Sequence, residues 1–203
     1  MRFYDDVVLP RLVDVALGKP FDAIRAEVAS GLSGNVLEVG FGSGRNVPHY
    51  PAAVTAVRAV DPATAARKIA ARRVAASPIP VEYIGLDGQD LPLDDQSMDS
   101  VLVTWTLCTI PDVDRALLEV RRVLRPGGSL HFVEHGRSAD RRVAAWQDRL
   151  TPIWGKVAGG CHLNRPIAEL IETSGLVISE LNTYQTPGPG TFGSFYQGIA
   201  AKR

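Results

Sequence analysis

Asn35-Val-Leu-Glu-Val-Gly-Phe-Gly-Ser-Gly-Arg-Asn46 is the stretch on which the reading of this 203-residue chain turns. Val36, Leu37 and Val39 are apolar and suit a buried strand. Glycines follow on alternate positions, Gly40, Gly42 and Gly44, and then a helix start. A strand that runs into a glycine-rich turn and a helix is the nucleotide-binding corner of an open α/β sheet. Glycine there lets the backbone approach a ligand and adopt φ > 0. The spacing separates ligand classes. A dinucleotide fingerprint places glycine at the first, third and sixth positions, and the sixth position from Gly40 is Arg45. No Gly-Lys-Ser/Thr follows, so a P-loop is excluded as well. What stands is Glu38-x-Gly40-x-Gly42-x-Gly44, a turn with no phosphate to cradle, suited to a nucleoside carrying an amino-acid tail.

Composition narrows the class further. The formal net charge is zero, so nothing points to nucleic acid or to a strongly charged partner. Cys108 and Cys161 are the only cysteines. They have no paired spacing, which argues against a disulfide scaffold and a cysteine zinc site, and the four scattered histidines predict no metal. No apolar run approaches the roughly 18 residues of a spanning helix, so no integral membrane segment is expected. The acidic start, Met-Arg-Phe-Tyr-Asp-Asp, is unlike a signal peptide, and a cytoplasmic location is expected. The length fits one domain over residues 1–203. A homo-oligomer is left open.

Along the chain, residues 1–30 read as a helical cap, with Pro10 kinking or dividing its first part. The cap is either a lid that brings Tyr4 and Arg25 near a ligand or an edge helix covering the sheet. Arg45 to Tyr50 reads as a short helix closed by Pro51. Val54 to Val60 is the second strand and ends in Asp61-Pro62. An acidic residue there accepts hydrogen bonds from ribose hydroxyls, and it also suits a helix N-cap. A helix over 63–76 leads to a third strand over 80–85 and the loop Leu86-Asp87-Gly88-Gln89-Asp90. The fourth strand, 101–105, delivers Thr104, Trp105 and Cys108 to the carboxyl edge, where open α/β sheets bind ligands. A lone cysteine at Cys108 is more often packing than nucleophile. Val113, Leu117, Val120 and Leu124 repeat at helical spacing. Arg125-Pro-Gly-Gly128 stops that helix before a fifth strand, Leu130 to His135. Helices follow over 137–175, interrupted at Pro152. Strands over 177–183 and 192–201 close the sheet as an antiparallel hairpin, around the loop Thr186-Pro-Gly-Pro-Gly-Thr191.

The glycine run together with Leu124-Arg-Pro-Gly-Gly-x-Leu-x-Phe-x-Glu-His135 resembles the class I S-adenosylmethionine-dependent methyltransferases. That resemblance implies a Rossmann-like seven-stranded sheet, mostly parallel with an antiparallel last strand. Helices cover both faces, and a helical insert over 137–175 follows strand 5 on the substrate side. It implies S-adenosylmethionine as cofactor. The matching cofactor positions are Glu38, Gly40, Phe41, Gly42, Gly44, Asn46, Asp61, Pro62, Asp87, Gly88, Thr104 and Trp105, with Asp87 meeting the adenine amino group. Tyr4, Cys108 and Arg165 are the candidate substrate-side positions by their place in the chain. More narrowly, Thr104-Trp-Thr-Leu-Cys-Thr-Ile110, Glu134-His135 and Gly160-Cys161-x-Leu163-x-Arg165 resemble the methyltransferase-like protein 7 group of thiol S-methyltransferases and their bacterial relatives.

Such a reaction is a single in-line displacement that asks the protein for position, desolvation and sometimes a base. His135, at the end of the fifth strand, is the best-placed base, and a histidine there also suits a structural bond to a loop carbonyl. His162 in the insert is the second candidate. Arg165 steers an anionic group or pairs with Glu134. His49 and His131 are assigned to structure. The expected partner is a small-molecule methyl acceptor, first a thiol, and no nucleic acid. The alternatives are a phospholipid or quinone headgroup, or a cofactor-binding protein without catalysis.

Overall fold

The computed structural model describes residues 8–185 and 192–203. Seven strands form one sheet: β1 (Gly34–Val39), β2 (Val54–Val60), β3 (Val81–Gly85), β4 (Met98–Thr104), β5 (Leu124–His135), β6 (Val177–Gln185) and β7 (Ser194–Ala201). Their order is β3-β2-β1-β4-β5-β7-β6. β7 runs antiparallel to both neighbours, and every other pairing is parallel. The order reverses between β1 and β4, which opens a crevice above the carboxyl ends of those two strands.

Strand alternation decides which side chains meet which helices. Leu37 and Val39 of β1 join a core with Val101, Val103 and Phe132. That core is completed by α4 (Val113–Val123) and α6 (Ile167–Thr173), through Leu117, Val120 and Ile171. Val36 faces the other way. It packs with Leu102 and Val133 against Val28 and Ala29 of α2 (Asp22–Ala29) and Ala70 of α3 (Thr64–Ala75). Helices therefore cover both faces of the sheet. Asp112 begins α4 by accepting the Arg115 N–H at 3.0 Å, a helix N-cap.

Proline accounts for two departures from the sequence reading. Pro10 stands in the first turn of α1 (Leu9–Ala16), where a helix has no N–H bond to lose, and the residues before it that it would kink or divide lie outside the described ones. The helix expected over 45–50 is only a 3₁₀ turn, Val47–His49, confined by Pro48 and Pro51. Conversely, α5 (Arg141–Val157) runs straight through Pro152. One lost helical bond does not outweigh the turns on either side, where Thr151 donates to the Gln147 carbonyl at 2.7 Å. β5 also starts earlier than expected, at Leu124. It pairs with Met98 there, swings out over Arg125–Gly128, and resumes at Ser129 opposite Ser100. Tyr4 and the loop 186–191 lie outside the described residues. Among the described residues no helix is long and apolar enough to cross a membrane.

Candidate active site

The crevice above β1, β2 and β4 is a cavity of about 870 Å³, within the size range of small-molecule sites. Its floor is the glycine turn. Gly40 has φ +81°, and a Cβ there would collide with the Thr106 side chain, so the turn can press against the β4 edge only with glycine. Gly42 has φ +51° and faces the cavity, with nothing closer to a would-be Cβ than 3.9 Å. Asp61, at the end of β2, shapes this turn. One carboxylate oxygen accepts the Gly42 N–H at 2.6 Å and the other the Ala63 N–H at 2.7 Å. Burial pushes the Asp61 carboxyl up, and those two N–H groups and Arg67 oppose the rise. Ala63 rather than Asp61 occupies the N-cap of α3.

A polar network stands behind the floor. Arg25 of α2 is buried, donates to Asn46 Oδ1 at 2.8 Å and Thr104 Oγ1 at 3.3 Å, and lies 4.5 Å above the Trp105 ring. Burial lowers its guanidinium to about 10, against the pull of Glu38, so it stays charged at neutral pH. Asn46 donates onward to Glu38 at 2.9 Å, and Tyr50 donates its hydroxyl proton to the same carboxylate. Glu38 is completely buried, which raises it to about 7 against those two donors. α1 closes one side. It buries no residue of its own but lays Leu9, Pro10, Val13 and Ala16 on the cavity. Its tether is Asp14, which accepts Ser43 Oγ at 2.6 Å and Arg45 Nε at 2.8 Å and lies 3.1 Å from Arg73.

The turn after β4 forms the opposite wall. Trp105 has φ +51°, a left-handed conformation that costs an aromatic residue about 1 kcal/mol or more. Glu134 holds it there, accepting the N–H groups of Thr106 at 2.7 Å, Leu107 at 3.0 Å and Cys108 at 3.3 Å. Burial raises Glu134 to about 7 and the three N–H groups pull it down. Beyond this wall lie Cys108, His135, Trp154, Gly160, Cys161, Phe192 and Phe195. His135 is 6% exposed, has its ring 6.0 Å from that of Phe195, and has no hydrogen-bond partner on either ring nitrogen. The charged residues on the cavity wall are Asp14, Arg25, Arg45, Asp61 and Asp87.

Of the sequence-derived positions, Gly40, Phe41, Gly42, Asn46, Asp61, Pro62, Asp87, Gly88, Thr104, Trp105, Cys108 and His135 all line this cavity. Four do not. Glu38 sits behind Asn46, on the strand face opposite Leu37 and Val39. Gly44 turns toward Phe41 and Ala70. His162 turns its ring to the Cys108 carbonyl, at 3.3 Å, and its own N–H donates to that carbonyl at 2.7 Å. Arg165 spends its guanidinium on the Leu107 and Pro111 carbonyls instead of steering a ligand or bonding Glu134. Residues unassigned from the sequence also line it, among them Asp14, Trp154, Cys161 and Phe195.

The model of a methyltransferase domain matches residues 37–132. The chain is 35% identical over 158 residues to thiol S-methyltransferase TMT1B of Rattus norvegicus, a match covering 76% of this chain and 64% of that one. It is 35% identical over 166 residues to the Homo sapiens TMT1B, covering 79% and 67%. The chain belongs to the S-adenosylmethionine-dependent methyltransferases. Its fold is shared by the crystal structure of an S-adenosylmethionine-dependent methyltransferase from Thermotoga maritima. There the TM-score is 0.68 at 21% identity, covering 98% of each chain. The match thus spans about two-thirds of the length of the curated thiol S-methyltransferases.

The family's cofactor fits this cavity. The space left open at Gly42 admits a ligand against the turn. Each Asp61 oxygen is engaged by one N–H, and an ionised carboxylate has about four acceptor sites in all. Two therefore remain for a diol. Arg25 places a buried positive charge on the same wall.

Proposed function

We propose that this methyltransferase transfers the methyl group of S-adenosylmethionine to a small, uncharged, largely apolar acceptor, first of all a thiol. The observation that carries the reading is His135: an imidazole buried in an apolar chamber, facing the cavity with both nitrogens unpartnered. A cationic amine would call for a carboxylate at that end, and a headgroup phosphate for a cation. Of the charged wall residues, Asp14 pairs with Arg45, Asp61 holds the glycine turn, Asp87 bonds Gln89, and Arg25 bonds Asn46 and Thr104. A thiol needs only a modest base, since its ordinary pKa lies near ~8.5. The curated relatives named for thiol S-methylation support the same choice.

S-adenosylmethionine supplies a methyl group already activated as a sulfonium. The chain's residues do the rest. Asp61 would accept the ribose hydroxyls, Asp87 and Gly88 would flank the adenine, and Arg25 with Asn46 would meet the amino-acid tail. Trp105 and Cys108 form the passage between the two chambers. His135 takes the acceptor's proton, and the stretch 137–175, with Trp154 and Cys161, roofs the acceptor chamber and excludes water.

The test is calorimetric titration with S-adenosylhomocysteine, followed by a methyl-transfer screen over small thiols, phenols and amines. Binding with turnover on a thiol is expected. Turnover confined to amines, or to phospholipid vesicles, would overturn the acceptor assignment. No binding would overturn the cofactor site.

A further inference from the structure

The acceptor chamber holds chemistry that the transfer does not use. Cys108, in the turn after β4, and Cys161, just beyond α5, are free thiols, and both line the cavity. Their backbones are joined: the N–H of His162 donates to the Cys108 carbonyl at 2.7 Å. Standard peptide dimensions then keep the two Cα atoms within about 7 Å, which reaches the roughly 4.4–6.8 Å that disulfides span. The side chains meet as well. Cys161 faces the Cys108 thiol, the His135 imidazole and the Trp154 indole. Cys108 faces Cys161 and lies in the field of Glu134 and Arg165. Its interaction with Cys108, then with His135, lowers the Cys161 thiol below the ordinary range despite burial. Cys108, beside Cys161 and buried, is raised. Two neighbouring thiols on a cavity wall, the half-buried Cys161 the more acidic and the more accessible, form the arrangement that thiol–disulfide exchange uses. The unpartnered, buried His135 beside them marks the chamber independently as a place for a ligand.

We propose that Cys161 is a modification site for low-molecular-weight disulfides, with Cys108 as its resolving thiol. The Cys161 thiolate attacks one sulfur of R–S–S–R. A Cys161–S–S–R bond forms, the R–S–S–R bond breaks, and RS⁻ leaves and takes the Cys108 proton. Cys108 then attacks the Cys161 sulfur. The Cys108–Cys161 bond forms and a second RS⁻ leaves, taking from solvent the proton that Cys161 gave up on ionising. In sum, the two protein thiols are oxidised by two electrons and R–S–S–R is reduced to two RSH. The new bond ties the stretch beyond α5 to the β4–α4 turn across the acceptor chamber, and a dithiol reductant reverses it.

The experiment treats the full chain with 2-hydroxyethyl disulfide at pH 6, quenches by alkylation, and maps peptides by mass spectrometry without reduction. The wild type is expected to lose two hydrogens and yield a Cys108–Cys161 linked peptide. Cys108→Ser and Cys108→Ala are both expected to trap one hydroxyethylthio group on Cys161. In Cys108→Ser, whose hydroxyl keeps a polar hydrogen beside Cys161, that capture should run several-fold faster than in the urea-denatured chain, and in Cys108→Ala, which removes the largest cause of the lowering, the gain should shrink. Cys161→Ser should give neither product. Three results would overturn the proposal: a persistent adduct without a cross-link in the wild type, modification of Cys108 in Cys161→Ser at the wild-type rate, or equal rates in folded and denatured Cys108→Ser. The readout is mass, so it stands apart from whether the acceptor is a thiol.

Discussion

Replacing Asp61 separates two roles that one carboxylate combines. Its oxygens accept the Gly42 N–H at 2.6 Å and the Ala63 N–H at 2.7 Å, and the side chain is 6% exposed. Asp61→Ala leaves both N–H groups without their acceptor. At about 1 kcal/mol each, with water from the cavity reaching them in part, the fold should lose about 2 kcal/mol. For a chain of this size that is roughly 4–8 °C in Tm. The cofactor loses two charge-assisted hydrogen bonds. At about 1.4 kcal/mol net apiece, its Kd should rise about 100-fold. Asp61→Asn keeps one oxygen and places an NH₂ against an N–H, so it should lose about half of each quantity: roughly tenfold in Kd and 2–4 °C. Calorimetry with S-adenosylhomocysteine and a thermal scan measure both. If both variants lower Tm but bind within twofold of wild type, Asp61 shapes the turn and does not hold the ligand. If Kd rises without loss of Tm, the two N–H bonds contribute nothing to folding.

His135→Ala should lower turnover on thiols by about 100-fold with S-adenosylhomocysteine affinity nearly kept, and unchanged turnover would return His135 to a packing role. Asp14→Ala removes the tether between α1 and the glycine turn, so stopped-flow release of a bound cofactor analogue should quicken about tenfold, and an unchanged rate would show that α1 does not gate the site. Glu38 and Glu134 are both raised by burial from 4.5 to about 7. Between those values the folded chain retains protons that the unfolded chain has released, so these two groups make stability fall as pH rises through that window. His49 and His131, lowered by desolvation, act oppositely below ~6.5. The clean comparison is therefore Glu38→Gln against wild type in urea at pH 5 and 7.5. The variant should lose about 1–3 kcal/mol less across the interval, and equal slopes would show that Glu38 is held ionised.

How much of this was legible in the sequence follows from where each constraint is local. The glycine turn, the α4 repeat and the acidic end of β2 are encoded in a few consecutive residues, and all sit as expected. Pro152 misled because proline's penalty is local, while the continuity of α5 depends on the turns around it. The early start of β5 was hidden by Pro126, Gly127 and Gly128, which read as a stop and are an outward swing between two paired segments. Among site positions, Glu38 faces away from the cavity behind Asn46, although its neighbours line the turn. His162 and Arg165 share the Gly160–Arg165 run with Cys161, yet only Cys161 and Leu163 turn inward among those after Gly160. The backbone carbonyls of the β4–α4 turn claim the other two. Phe195, Asp14 and Trp154 come from distant parts of the chain, and no short-range signal marks them.

That claim on His162 and Arg165 explains the wall itself. The turn at Trp105–Pro111 carries a left-handed tryptophan, three successive N–H groups and several carbonyls that no strand or helix pairs. Glu134 satisfies the donors from one side. Arg165 and the His162 N–H satisfy the acceptors from the other. The stretch 160–165 is thereby fixed to the end of β4 through backbone groups, leaving the side chains of Cys108, Cys161 and His135 to line the chamber between. Removing Glu134 should consequently be felt on both sides. Glu134→Gln keeps one acceptor for three donors and should cost about 2 kcal/mol. By freeing Trp105 from its strained φ, it should also displace the passage between the two chambers. Turnover should then fall more than S-adenosylhomocysteine affinity. Equal losses in the two would mean that the turn serves only to seat the cofactor.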